Sequence, residues 1–381
     1  MTLRIVVVIF TTVLLALLPE TGFKQSHASS SEMAPDSLWA KWEHVSLRIM
    51  KEGRLRDYFE NLHHQKRFNG AVLVSEKGNL LYEGGFGMAD EKLNQAITPD
   101  THFQLASVSK MFTATAIMLL FQEGKLDFDD TVAAHLPGWP YEDMTIRHLL
   151  NHRSGLARYE AVASWYWKNY REPLSNTDLL NLYIRHKPVI FFTPGNGFNY
   201  CNTNYVILAC IVEKISGVSF QEFMETHVFQ PLCMDAVVYS RVTEPEVPDK
   251  AVGYKPGRKG YYPAQGDYLD GVVGDKGLYA SVHDLDKYDH ALSEYTLLYP
   301  STLEEAFSPG SGGRVHNYGF GWRMKINGDK KILYHFGWWR GFRTCYIRDP
   351  ERNLSIMVLS NRDEPGFYVD YWEVYETVAA L

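Results

Sequence analysis

Thr344-Cys345-Tyr346-Ile347-Arg348, the turn Asp349-Pro350 and then Leu354-Ser355-Ile356-Met357-Val358-Leu359-Ser360 decide how this chain is built. Two short apolar runs punctuated by a proline turn read as neighbouring strands. Just upstream, 318–326 and 331–336 flank Asn327-Gly328, a pair that favours tight hairpins. Near the other end an apolar run over 70–75, the turn Lys77-Gly78-Asn79 and a second run over 80–87 make another hairpin. A separate sheet at each end would be too narrow to stand alone. The two chain ends are therefore expected to share one antiparallel sheet in an α+β fold.

Helices fill the space between. Over 35–66 the positions Leu38, Trp42, Val45, Ile49, Leu55, Tyr58, Phe59 and Leu62 follow helical spacing and predict one or two amphipathic helices packed on the sheet. From Ser107 to Glu123 the residues Met111, Ala114, Ile117, Met118 and Phe121 predict a largely buried helix, with Gly124 as its C-terminal cap. Residues 130–300 alternate helical stretches with Pro/Gly clusters and read as a helical lobe. A last helix is expected over 366–380.

The 381 residues are 45% hydrophobic and 22% charged, the balance of a folded globular chain. A net charge of −7 leaves no broad basic surface for nucleic acid. Arg4 followed by the apolar run 5–18 has the length of a secretory signal rather than a membrane span, and Ser26 and Ala28 place a cut before Ser29. The expected organisation is a signal peptide over 1–28 and a single domain over 29–381, secreted or periplasmic, with membrane contact only if the segment stays uncleaved. Cys201, Cys210, Cys233 and Cys345 contain no CxxC pair and are expected as small buried residues, with one disulfide left open.

Three stretches carry chemistry. Ser107-Val108-Ser109-Lys110 puts a hydroxyl and an amine on one helix face, at a helix start that favours an oxyanion. A lysine can strip a serine of its proton only where burial or nearby positive charge favours its neutral form. Roughly one Ser-x-x-Lys arises by chance in a chain this long, and Ser107 as a helix cap with Lys110 in solvent is the alternative. Tyr200 and Asn202, on a loop after Pro194-Gly195, offer a phenol and an amide to one cavity; the alternative is a loop that caps the next helix. His335 and Gly337 lie on a late strand where glycine admits another backbone, the alternative being a bulge with a satisfied histidine.

In this order, Ser-x-x-Lys, Tyr-x-Asn and His-x-Gly resemble the serine β-lactamase and penicillin-binding protein superfamily, in its class C and D-alanyl-D-alanine carboxypeptidase-like branch. Phe103-Gln104-Leu105-Ala106, Leu149-Leu150-Asn151-His152-Arg153-Ser154-Gly155-Leu156 and the stretch 274–280 agree with that branch, and the resemblance spans 55–379. It implies Ser107 as acylated nucleophile, Lys110 and Tyr200 as the proton-transfer pair, and Asn202 as a contact to substrate and lysine. It further implies His335 and Gly337 at the substrate-facing strand, and an oxyanion hole from the backbone N–H groups of Ser107 and Trp338. Phe336 departs from the Thr or Ser common in the family, whose hydroxyl helps bind a carboxylate, and His335 replaces the lysine of most class C enzymes. Arg340 or Arg343 could then supply an anion contact, the alternative for each being a surface strand residue.

The activity so implied is hydrolysis of an amide or ester, a D-alanyl peptide or β-lactam among them, through an acyl-serine. No cofactor or metal is implied, and the partner is a small-molecule or peptide substrate. A carboxylesterase is the nearest rival, and a non-catalytic ligand-binding or sensor protein the rival of another class. The cluster His283, Asp284, Asp286, Asp289, His290 is read as a helix start capped by Ser281. Tyr159, Trp165, Tyr166, Trp167 and Tyr170 are expected to pack the lobe, and Trp338 and Trp339 to shape the pocket.

Overall fold

A computed structural model describes residues 35–310, 317–363 and 367–379; the expected signal peptide lies outside them. The chain forms two compact units, residues 1–46 and 47–381. Of the first, the described part is helical. The second carries the sheets and the helical lobe.

Six strands form the main sheet: β1 (Gly70–Glu76), β2 (Asn79–Phe86), β3 (Arg323–Asn327), β4 (Lys330–Trp339), β5 (Phe342–Asp349) and β6 (Leu354–Ser360). Their order is β3-β4-β5-β6-β1-β2, with every neighbouring pair antiparallel. The chain ends meet at β1 and β6, where Val72 faces Val358. Lys77 and Gly78, both at positive φ, close the first hairpin as the turn chemistry requires.

Successive residues of these strands alternate between two cores. Ala71, Leu73, Tyr346, Met357 and Leu359 face the helical lobe, whereas Val72, Val74, Ile347, Ile356 and Val358 face the outer helices. A sheet buried on both faces explains why its strands read as continuous apolar runs. The outer layer is made by α1 (Pro35–His64), through Leu55, Phe59 and Leu62, and by the last helix, Phe367–Ala379, through Tyr371, Val374, Tyr375 and Val378. Ile49 is exposed, so the packing face of α1 starts near Leu55 and does not extend over the whole predicted stripe. The side chains of Leu38 and Trp42 are outside the described set.

On the inner side α2 (Ser109–Gln122) is buried along most of its length, and Gly124 at positive φ ends it. The lobe stacks α3 (Asn202–Ser216) against α2 and holds a small sheet of Phe103–Gln104, Leu278–Ala280 and Val237–Val238. The acidic cluster forms the start of the helix Val282–Glu294: Ser281 and Asp284 make a capping box, while His283 bridges Asp100 and Glu83. All four thiols are free; Cys201, Cys210 and Cys345 are buried as expected, but Cys233 is exposed on a turn.

Candidate active site

The short strand Phe103–Gln104 pairs with Leu278–Ala280, and the chain then turns sharply through Ala106–Val108 into α2. Ala106 sits at φ 50°, a left-handed conformation that costs an alanine about 1–2 kcal/mol. Such strain concentrates where a side chain must be presented, and here it precedes Ser107. Ser107 caps neither the turn nor α2; its Oγ instead accepts a hydrogen bond from Lys110 Nζ at 3.1 Å. Lys110 has no exposed surface, and its amine also donates to the Asp275 carbonyl at 2.7 Å. One turn of helix thus brings the predicted pair together in a buried setting.

Tyr200 stands on the opposite wall, its ring centroid 5.2 Å from Lys110 Nζ and 4.8 Å from the Arg323 guanidinium. Its hydroxyl is buried without a hydrogen-bond partner among the described residues. His152 packs on the Tyr200 ring at 4.3 Å, and its Nδ1 accepts from the Cys201 backbone N–H. Burial first, then the nearby Lys110 and Arg323, holds His152 well below the ordinary histidine range, so the ring is neutral. Asn202 opens α3 and does not cap it; its Nδ2 donates to Glu160 Oε1 at 3.0 Å, while Lys110 is bonded elsewhere.

His335 lies behind this wall rather than in it. It is 1% exposed, with Nδ1 donating to the Phe336 carbonyl and Nε2 accepting from the Tyr318 hydroxyl. Burial, with Arg323 and Lys110 nearby, keeps this ring neutral too. The histidine is satisfied, yet there is no bulge: β4 and β5 stay in register from Leu333 to Trp339. Gly337 is glycine because the backbone of the nucleophile turn approaches it: a Cβ there would stand 2.3 Å from the Leu105 carbonyl oxygen. The approaching backbone is thus the chain's own. Thr344 on β5 donates to that same carbonyl and pins it.

Ser107, Tyr200, Asn202, Trp338 and Trp339 line one cleft of about 580 Å³. Trp338 and Trp339 therefore stand where they were expected. The anion contact expected of the arginines is not available in that form: Arg340 pairs with Asp267 and Asp270, and Arg343 with Asp363. The aromatic stretch divides. Tyr159 is buried and Trp167 packs on the core, but Trp165 and Tyr166 are exposed at the end of their short helix and Tyr170 is exposed on the loop beyond it.

Beneath the nucleophile lies a layer formed by the stretch 274–280, in which no individual site residue was expected. Asp275 and Lys276 are buried side by side, Nζ to Oδ1 at 3.4 Å, and Lys276 also donates to the Tyr159 hydroxyl at 2.7 Å. Burial pushes the Asp275 carboxyl up, against the pull of Lys276 and Lys110. Two adjacent charges inside the apolar run 272–280 were the available signal. Removing one member of a buried pair strands the other, so Lys276→Met should cost about 3–5 kcal/mol of stability by urea unfolding. The double variant Lys276→Met/Asp275→Asn should recover much of it; a loss below about 1 kcal/mol in the single variant would mean the pair is not coupled.

The Beta-lactamase family pattern matches residues 55–380. The chain is 36% identical over 340 residues to penicillin-binding protein 4* of Bacillus subtilis, covering 84% of this chain and 73% of that one. It is 28% identical to the D-aminopeptidase of Gluconobacter oxydans over 77% of this chain, spanning 55% of that protein's length. Its fold superposes on the octameric penicillin-binding protein homologue from Pyrococcus abyssi with a TM-score of 0.73 at 27% identity, covering 84% and 76% of the two chains. With the antiparallel sheet, the buried Ser-x-x-Lys turn and these likenesses together, the chain belongs to the Beta-lactamase family and is a serine hydrolase of that family.

Proposed function

We propose that the protein is an exported hydrolase that cleaves small amides or esters, D-alanyl peptides foremost, through an acyl-Ser107 intermediate. The observation that carries this is the 3.1 Å line between Lys110 Nζ and Ser107 Oγ at the floor of a cleft. Along the same line the amine takes the serine proton as Oγ bonds to the substrate carbonyl carbon. The backbone N–H groups of Ser107 and Trp338 are the donors for the resulting oxyanion, the first at a helix start and the second beside it because Gly337 lets the strand close in. The Tyr200 hydroxyl, without a partner of its own among the described residues, passes a proton to the departing group. Water then attacks the acyl carbon and gives its proton to the Tyr200 phenolate, while Lys110 returns the first proton to Ser107 Oγ as the acyl–Oγ bond breaks. Asn202 contributes to the substrate's surroundings, Gly337 lets the strand close on the nucleophile turn, and His335 stands behind the Tyr200 ring.

Likeness to a D-aminopeptidase and to a penicillin-binding protein supports small peptide-like amides as the substrate class. A second reading, carboxylesterase, is favoured by Phe336, whose ring stacks on Tyr371 at 5.0 Å and offers no hydroxyl to a carboxylate. β-Lactams, which carry such a carboxylate, are then poorer substrates. Comparing kcat/KM for a D-alanyl-D-alanine peptide and a p-nitrophenyl ester tests the choice: faster peptide turnover supports the amidase reading, and ester turnover alone supports the rival.

A further inference from the structure

Glu160 and Asn202 share one hydrogen bond and leave two acceptors bare. The bond from Asn202 Nδ2 to Glu160 Oε1 fixes which way the amide points, so Oδ1 is the atom left over. Arg158, 3.7 Å away, also approaches Oε1. Glu160 Oε2 and Asn202 Oδ1 are both buried, and neither has a hydrogen-bond partner among the described residues. Both residues line the cleft that contains Ser107. Buried acceptors without donors are uncommon in folded chains, and in a cleft that faces a nucleophile a substrate group can supply the donors that water supplies otherwise.

The missing partner must bring N–H or O–H groups, and at least two of them. A hydroxyl supplies one donor, whereas an ammonium supplies three together with the charge that a carboxylate favours. Asp363, the other acid of the cleft, is taken by Arg343 and the Trp338 indole, so it does not compete for that group. Glu160 and Asn202 line the same cleft as Ser107 and Tyr200, so an amine next to the scissile carbonyl shares that cleft with them. We infer that Glu160 and Asn202 form a subsite for the free α-ammonium group of the substrate. The preferred substrates are then amides, esters or peptides of an amino acid whose N-terminus is unblocked. This rests on Ser107 as nucleophile.

The test measures kcat and KM for the p-nitroanilides of D- and L-alanine and for their N-acetyl counterparts, with the wild type and Glu160→Gln. The wild type should favour the free amine by about 50-fold or more in kcat/KM for at least one enantiomer. Glu160→Gln, which keeps the size and the bond to Asn202, should shrink that preference about tenfold or more, mainly through KM. Labelling of wild-type Ser107 by a fluorophosphonate separates the two ways of failing. No label means that the nucleophile reading has failed. A labelled enzyme that treats free and acetylated substrates alike, or turns over neither, overturns the ammonium subsite alone. So does a Glu160→Gln variant that loses both substrates in equal proportion, since Glu160 would then be a structural brace. If that variant does not fold, the wild-type preference decides.

Discussion

Lys110→Met should lower kcat/KM by about 10³-fold or more on every substrate the enzyme accepts, while the protein unfolds at nearly the wild-type temperature. Methionine preserves the length and volume of the buried side chain but can neither accept nor return a proton. The loss should fall on kcat, because the amine touches Ser107 Oγ and the Asp275 carbonyl rather than the outer cleft. The variant leaves the Asp275 carbonyl without its lysine donor, which limits the structural cost to about one hydrogen bond. Turnover within threefold of wild type would place the base elsewhere. Tyr200 would then be the first group to consider, since its buried hydroxyl has no partner among the described residues.

Gly337→Ala should damage both stability and rate, even though one methyl group is all that is added. Its Cβ would meet Thr344 Oγ1 at 2.1 Å and the Leu105 carbonyl oxygen at 2.3 Å. The first contact involves a fully buried hydroxyl, and the second a backbone atom two residues before the nucleophile. Neither can yield cheaply, so the strand must move away from the turn. Overpacking of this kind costs about 1–3 kcal/mol. A shift of the Ser107 and Trp338 amides by even part of an ångström should lower kcat/KM by about 10²-fold. Urea unfolding and steady-state kinetics on one preparation read both effects. Adding Thr344→Ala should restore part of the stability, because it removes the nearer contact, and little of the rate, because Leu105 still obstructs. An alanine variant with wild-type kinetics would show that the strand and the turn are not held in one exact spacing.

Most of the scaffold was legible because it depends on period-two alternation and on turns. The hairpins at 77–79 and 327–328 and the pairing of chain ends follow from local chemistry and sheet width. The predicted packing stripe on the first helix was only half realised, since periodicity shows that a face is apolar and not whether anything covers it; Leu55 is covered and Ile49 is not. At the site, Ser107 and Lys110 were readable because they lie one helical turn apart, a distance fixed by local geometry. Glu160, Asp275 and Lys276 were not read, because they come from separate segments of the lobe and meet only in the folded chain. His335 was readable as a position but not as an environment. That it is neutral and turned toward Tyr318 depends on burial and on Arg323, neither of which its own strand reveals. The aromatic stretch 159–170 misled for a similar reason, since aromatic content favours burial on average but does not fix where a short helix ends.

Every catalytic role given above depends on one hydroxyl, activated by the lysine one turn away, becoming acylated. Intact-mass spectrometry after exposure to a fluorophosphonate measures this directly. A single adduct is expected on the wild type, mapped to Ser107 after digestion, and none on Ser107→Ala. An unmodified wild type, or an adduct that survives on Ser107→Ala, would contradict it.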